Sequence, residues 1–154
     1  MKLPTAEDFT GIPNPECGDA FCAWKNFGGL TIDEAYQKFC EFPDCSQEDF
    51  MFMGDNAFIF YFPVIDRYVR EQEPEYEFFG KKYPFDGVTH FLAHSIDMHV
   101  SETSPSVRSL YNQIVKLCDF VLRSVADVPS EKGRSWSPDE IRTVWTELRK
   151  KALS

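Results

Sequence analysis

The sequence predicts a mainly α-helical protein, a compact single-domain bundle of about five helices with an irregular N-terminal segment. The 154-residue chain is 43% hydrophobic and contains fifteen phenylalanines, which is enough apolar surface for a packed core. Several segments repeat apolar residues at helical spacing behind capping residues. No internal repeat or long linker divides the chain. We expect residues 1–30 to be mostly loop and residues 31–154 to form the helical core.

The first regular element is predicted just after residue 30. Before it, "TGIPNPECGDAF" and "NFGG" are rich in proline, glycine and asparagine, which favours loops with one short helix around "DAFCAWKNF". In "TIDEAYQKFCEFP", Thr31 and Glu34 have the spacing of a capping box, and Pro43 ends the pattern. The apolar face of this helix comprises Ile32, Ala35, Tyr36, Phe39 and Cys40.

The aromatic segment "GDNAFIFYFPVIDRYVREQE" fits two structures, of which we favour a helix. Its phenylalanines alternate over residues 57–63, as they would in an edge strand that tolerates Pro63. In a helix, Asp55 is in position to act as the cap, and Pro63 would remove one backbone hydrogen bond and kink the axis. Four apolar side chains would then share one face, namely Phe58, Phe62, Ile65 and Val69.

Part of this segment resembles small, mainly helical bacterial proteins of unknown function. The resemblance is confined to residues 48–69, "EDFMFMGDNAFIFYFPVIDRYV". The matching residues are Met53, Gly54, Ala57, Phe58, Tyr61, Pro63 and Tyr68. The resemblance implies a bacterial protein and supports a helix over residues 57–63, but it transfers no catalytic residue.

Two further helices are predicted from strong start signals. In "SPSVRSLYNQIVKLCDFVLRSVADVP", Ser104 is expected to cap the helix and Pro105 to occupy its first position. The long apolar stripe of this segment indicates the central helix of the fold. In "SPDEIRTVWTELRKKAL", Ser137 is the predicted cap, Pro138 comes first and Glu140 completes a capping box. Its basic last turn suits the negative end of the helix dipole.

Charge is distributed unevenly along the chain. The formal net charge is −9, with 16 acidic and 5 basic residues over positions 1–77 but 9 acidic and 11 basic residues over positions 78–154. The acidic half argues against nucleic-acid binding, which needs a contiguous basic face, and it suits a basic protein partner. No segment has the apolar run of a membrane helix or a signal peptide. We therefore expect a cytoplasmic protein that does not bind membranes.

The segment "REQEPEYEFFGKKYPFDG" predicts a surface for such a partner. Aromatic side chains supply binding area, and carboxylates attract a basic protein. The candidate partner-binding residues are Glu71, Glu73, Glu75 and Glu77. The leading functional hypothesis is a non-enzymatic protein-binding module, of the kind found among immunity proteins and antitoxins. The alternative for this segment is a solvated helix end followed by core aromatics.

All three histidines lie in "THFLAHSIDMH" and suggest the alternative function, a metal-dependent enzyme. If Asp86 caps a helix here, three candidate ligands for Zn²⁺ or a similar divalent ion share one face. They are His90, His94 and Asp97. His99 would point away from them. Phe91 occupies the position of the general base in an H-E-x-x-H motif, and the same three residues also fit an ordinary solvated face.

The cysteines and the remaining motifs predict no cofactor. "CGDAFC" and "CEFPDC" each contain two cysteines with four intervening residues, whereas structural zinc sites usually have two. We expect reduced thiols, with Cys40 and Cys118 as small buried hydrophobic residues. No G-x-S-x-G elbow, phosphate-binding loop or dinucleotide motif is present. No catalytic residue is therefore predicted, and an enzyme is the less favoured class.

Overall fold

The secondary structure is mainly helical, as predicted, but it is divided into more helices than five. A computed structural model describes residues 2–72, 76–78, 80–83, 85–101, 104–130 and 137–154. Its α-helices are α1 (Ala6–Thr10), α2 (Asp19–Phe27), α3 (Ile32–Glu41), α4 (Pro43–Ser46), α5 (Asp49–Phe52), α6 (Asp55–Glu71), α7 (Gly87–Ser101), α8 (Tyr111–Ser124) and α9 (Pro138–Leu153). A 3₁₀ helix covers Val107–Leu110, and β1 (Tyr76–Phe78) pairs antiparallel with β2 (Lys81–Tyr83).

The N-terminal thirty residues contribute two helices, although only α2 was predicted. Helix α1 begins with a capping box, in which the Asp8 carboxylate accepts from the Thr5 backbone N–H at 2.7 Å and the Thr5 hydroxyl accepts from the Asp8 N–H. It ends at Gly11, whose φ of 77° lies in the left-handed region that glycine adopts without strain. Because α1 has only five residues, it is too short to produce a helical repeat in the sequence.

Helix α3 begins at the predicted capping box, but one residue of its predicted apolar face is wrong. The Thr31 N–H donates to Glu34 at 2.8 Å, and the Glu34 N–H donates to the Thr31 hydroxyl. Ala35 and Phe39 are buried, whereas Cys40 is exposed. Cys40 is in the last turn before the helix ends at Glu41, where the described elements leave its thiol exposed.

Helix α6 settles the ambiguous aromatic segment and, with α7, is one of the two helices with the most buried side chains. It continues through Pro63, and residues 57–63 are helical throughout. Its N-cap is Gly54 and not Asp55, which is the first helical residue. Eight of its side chains are buried, against four in α8. The prediction that the segment containing α8 forms the central helix is therefore wrong, because a long stripe on one side of α8 buries less than the apolar circumference of α6.

The two C-terminal helices differ from the prediction at their starts. Ser104 does not cap α8, because a turn and the 3₁₀ helix intervene and α8 begins at Tyr111. The Ser109 hydroxyl donates to the Ser106 carbonyl there at 2.9 Å, a local bond of the type that competes with regular helix. In α9, the Ser137 hydroxyl accepts from the Glu140 N–H as predicted, but the reciprocal half of the capping box is not formed.

The order of the helices along the chain becomes a layered arrangement in space. The main contacts of α1, α2, α3 and α5 are with one another and with α6 or α7. Helices α8 and α9 pack mainly on each other, and α9 also packs on α7. We call residues 2–54 the N-terminal layer. It is therefore separated from α8 and α9 by the two most central helices.

Two close contacts attach the N-terminal layer to α6. The fully buried Tyr61 hydroxyl lies 2.7 Å from the carbonyls of Phe27 and Leu30, which share its single proton. The Gly54 N–H donates to the Phe9 carbonyl at 2.9 Å. A Cβ at position 54 would lie 2.2 Å from the Asp8 carbonyl oxygen. Glycine is therefore required there for close approach of the backbones.

Candidate functional site

The predicted histidine helix forms, and its three candidate metal ligands have other neighbours. The Asp86 carboxylate accepts from the Thr89 N–H at 3.0 Å, which confirms Asp86 as the cap of α7. The rings of His90 and His94 are 5.0 Å apart between centroids. The Asp97 carboxylate instead accepts from Lys151 of α9 at 2.7 Å. The predicted third ligand is thus held in an ion pair.

The electrostatics around His90 favour the neutral ring. Burial lowers the pKa of His90, and the neighbouring His94 lowers it further, whereas Glu140 opposes both. The Nε2 atom of His90 lies 3.9 Å from the Glu140 carboxylate. Within the described ranges, no group of three or more histidine, cysteine, aspartate or glutamate side chains is arranged to hold a metal ion. The pair is therefore a neutral, partly covered histidine beside an exposed one.

His99 lies on the other side of α7, as its spacing predicted, and it is buried there. Its Nε2 atom lies 2.7 Å from the Phe50 carbonyl, a hydrogen bond that requires Nε2 to carry a proton. Its Nδ1 atom lies 3.6 Å from the Asp55 carboxylate. Its ring stacks on Phe58 with 3.8 Å between centroids. His99 thus connects α5, α6 and α7, and both ring nitrogens already face protein acceptors.

A cleft of about 430 Å³ opens beside His99 in the N-terminal layer. It is bordered by α1, the start of α2, the end of α5 and the end of α7. Three of the four methionines of the chain line it, together with aromatic and small residues. We call it the methionine cleft, and its lining residues are Phe9, Thr10, Gly11, Ala20, Met51, Phe52, Met53, Gly54, Met98 and His99.

The methionine cleft has a closed floor and an exposed apolar rim. Phe9 and Met53 are 1% and 3% exposed, whereas Met98 is 46% exposed. Ile12, next to the lining residue Gly11, is 52% exposed. The sequence analysis missed this cleft, because Met51 and Met53 are far along the chain from Met98. The only local signal was the Met-Phe-Met triplet.

The acidic segment predicted as a partner surface is described only in part. Glu73 and Glu75 lie outside the described residues, and of Glu77 only the backbone, in β1, is described. Glu71 ends α6 and is exposed, but its carboxylate already accepts from the Tyr36 hydroxyl at 3.0 Å and from Arg67 Nε at 3.1 Å. These two hydrogen bonds lower the pKa of Glu71. Glu71 therefore stabilises the contact between α3 and α6.

Most of the carboxylates without an ion pair that the structure describes lie in the N-terminal layer. It has ten acidic and three basic side chains, a formal charge of −7. Six of its carboxylates are exposed and make no hydrogen bond or ion pair with any residue that the structure describes. They are Glu7, Glu16, Asp19, Glu41, Asp44 and Glu48. In α8 and α9, by contrast, Asp119 and Glu147 pair with Arg149 and Lys150.

One exposed aromatic side chain lies among these carboxylates. Phe42, between α3 and α4, is 67% exposed, the largest fraction among the exposed large hydrophobic side chains that the structure describes. Glu41 and Asp44 flank it in the sequence, and neither is paired with any residue that the structure describes. An exposed aromatic side chain is suited to anchor a protein interface, and the flanking carboxylates would attract a basic partner. Phe42 was not among the residues predicted from the sequence, because its exposure depends on the packing around α3 and α4.

The cysteines do not form a metal site in the structure. Cys17, Cys22, Cys40 and Cys45 are all exposed free thiols, and no group of ligands that includes them meets the geometry of a metal site in the described chain. Cys118 is buried, as predicted, and burial raises the pKa of its thiol to about 12. Cys118 is therefore an inert core residue at neutral pH.

Comparison of the chain with protein-family models, curated proteins and solved structures finds no match. Among the helices that the structure describes, none is long and apolar enough to cross a bilayer.

Proposed function

We propose that this protein is a non-enzymatic binding module whose acidic N-terminal layer binds a basic protein partner, in the manner of an immunity protein or antitoxin. The observation that carries the proposal is the contrast in pairing: the layer has six exposed carboxylates without a described partner, whereas acidic residues of α8 and α9 are held in ion pairs. Unpaired carboxylates on one side of a protein repel each other and favour a positively charged partner.

The fold supports this proposal by keeping the charge on one side. Helices α6 and α7 separate the N-terminal layer from the basic residues of α8 and α9. Over residues 3–24 and 39–66 the chain contains no lysine or arginine at all. An approaching basic protein therefore meets no cationic side chain on these segments.

The proposal is tested by capturing partners from an extract of the source cells with matched neutralised variants. Two triple variants each remove three charges from the layer: Glu41→Gln, Asp44→Asn, Glu48→Gln in one, and Glu7→Gln, Glu16→Gln, Asp19→Asn in the other. The control, Asp119→Asn, Asp139→Asn, Glu147→Gln, removes the same charge from the opposite side. The ion pairs that it breaks are exposed or half-buried and contribute about 1 kcal/mol each or less to stability.

We expect the unmodified protein to retain a small set of basic proteins, with capture that falls as salt is raised. At least one triple variant of the layer should lose them, and the control should keep them. Captured proteins without an excess of basic residues, or equal capture by all three variants, would contradict the proposal.

A further inference from the structure

The methionine cleft has the properties of a pocket for apolar side chains. Methionine side chains are unbranched and adaptable, and they occur on protein surfaces that bind varied apolar segments. A volume of about 430 Å³ falls within the range of pockets that bury small ligands or side chains. Met98 and Ile12 leave apolar surface in water at its rim. Covering that surface is favourable.

Few polar groups in the cleft remain to orient a small polar ligand. Thr10 and His99 supply the polar side chains of the lining. The Thr10 hydroxyl lies 3.0 Å from the carbonyl of Ala6 and from that of Ile12. The ring nitrogens of His99 face Phe50 and Asp55. The lining therefore selects its occupant mainly by apolar contact.

The charges near the cleft determine what must flank such an apolar group. Unpaired carboxylates lie within three residues of lining positions: Glu7 before Phe9, Asp19 before Ala20, and Glu48 before Met51. The three stretches that line the cleft fall in segments without lysine or arginine, which are residues 3–24, 39–66 and 87–101. An apolar segment that also carries lysine or arginine matches both features.

We propose that the methionine cleft is the docking site for an apolar side chain on a basic, amphipathic segment of the protein partner. This inference rests on the proposed function and deepens it, because it assigns part of the acidic layer as the apolar anchor point. The carboxylates attract the segment, and the cleft buries its apolar face against Met51, Met53 and Met98. Affinity then depends on both properties of the partner.

The test uses defined peptides and the full chain, so that no natural partner has to be known. The probe is a fluorescent helical peptide of leucine and lysine, and its binding is followed by anisotropy. A second peptide replaces each leucine with serine and keeps the charge. We expect the leucine peptide to bind at least about tenfold more tightly, a difference of about 1.4 kcal/mol.

Two matched variants locate the binding surface. Met98→Gln replaces an apolar side chain by a neutral polar one at the rim of the cleft, and Leu153→Gln does the same at a similarly exposed apolar residue, 59% exposed, at the end of α9. Met98→Gln should weaken the leucine peptide about tenfold and leave the serine peptide unchanged, because neither variant changes the charge. Leu153→Gln should affect neither peptide. Circular dichroism and thermal melting verify that both variants fold.

A direct readout comes from methionine methyl NMR on the unmodified protein. The four methionines give four signals, and those of Met51, Met53 and Met98 should shift with the leucine peptide. Equal binding of both peptides, equal effects of the two variants, or absence of leucine-peptide binding would overturn the docking site. Because the charge-neutralised variants are tested separately, a basic partner that still depends on the acidic layer would leave the proposed function standing.

Discussion

Substitution of Gly54 by alanine tests the contact between α1 and the start of α6. The added Cβ would lie 2.2 Å from the Asp8 carbonyl oxygen and 3.3 Å from the Phe9 carbonyl oxygen. Both are backbone atoms, so no side-chain rotation relieves the overlap. Gly54 has a φ of −63°, which alanine adopts without strain. The steric contact alone therefore decides the outcome.

The expected cost follows from the contacts that must change. Moving α1 away from α6 weakens the Gly54 N–H to Phe9 bond, which contributes about 1 kcal/mol. Overpacking at such a contact costs about 1–3 kcal/mol. Alanine also lowers the conformational entropy of the unfolded chain, which offsets about 0.4–1 kcal/mol of this destabilisation. We expect Gly54→Ala to reduce the free energy of unfolding by about 2–3 kcal/mol.

Urea unfolding followed by circular dichroism measures this change. Gly29→Ala is the matched control, because Gly29 has a φ of 78° and an added Cβ there meets no atom within 4 Å. The control should lower the free energy of unfolding by about 1–2 kcal/mol, because alanine is strained in the left-handed conformation. If Gly54→Ala matched or exceeded the stability of the unmodified protein, the close approach of α1 and α6 would be refuted.

Three further predictions concern single buried groups. Tyr61→Phe should lower the free energy of unfolding by about 1–3 kcal/mol, because it removes the donor shared by two backbone carbonyls between α2 and α3; an unchanged urea midpoint would contradict this bridge. Burial raises the pKa of the Asp49 carboxyl group, and the hydrogen bond from Asn26 partly offsets this rise. The folded protein therefore binds a proton at Asp49 more tightly than the unfolded chain does, and the free energy of unfolding falls as the pH rises above the usual carboxyl range. Asp49→Asn should therefore flatten this dependence and stabilise the protein at neutral pH, and urea midpoints measured between about pH 4 and pH 7 would show it. In a thiol-reagent assay, the four exposed cysteines should react in the folded protein and Cys118 only after unfolding; five rapidly reacting thiols would argue against its burial.

The local signals in the sequence predicted several elements because they act over one or two turns. The Thr31 box, the Asp86 cap and the Ser137 cap each bond a backbone N–H three residues away. Such bonds depend on neighbouring residues only. The helical spacing around Pro63 likewise predicted α6 correctly, because the apolar residues of a buried helix repeat whichever neighbours cover them.

The predictions that are wrong concern residues whose environment depends on distant parts of the chain. Cys40 belongs to an apolar stripe but is exposed, because the helices that the structure describes do not cover it at the end of α3. Asp97 lies on the predicted metal face, yet Lys151, fifty-four positions away, occupies its carboxylate. Nothing within α7 indicates that α9 brings a lysine to this face.

The sequence by itself determined the helical class, the starts of α3, α7 and α9 and the uneven charge, since these depend on composition and on contacts within a few residues. Only the tertiary structure decided which carboxylates are unpaired, which histidine is buried and where the methionines meet. Met51 and Met98 become neighbours in one cleft because α5 packs against α7. A surface is a property of packed helices, and it forms from residues whose proximity no local pattern in the chain encodes.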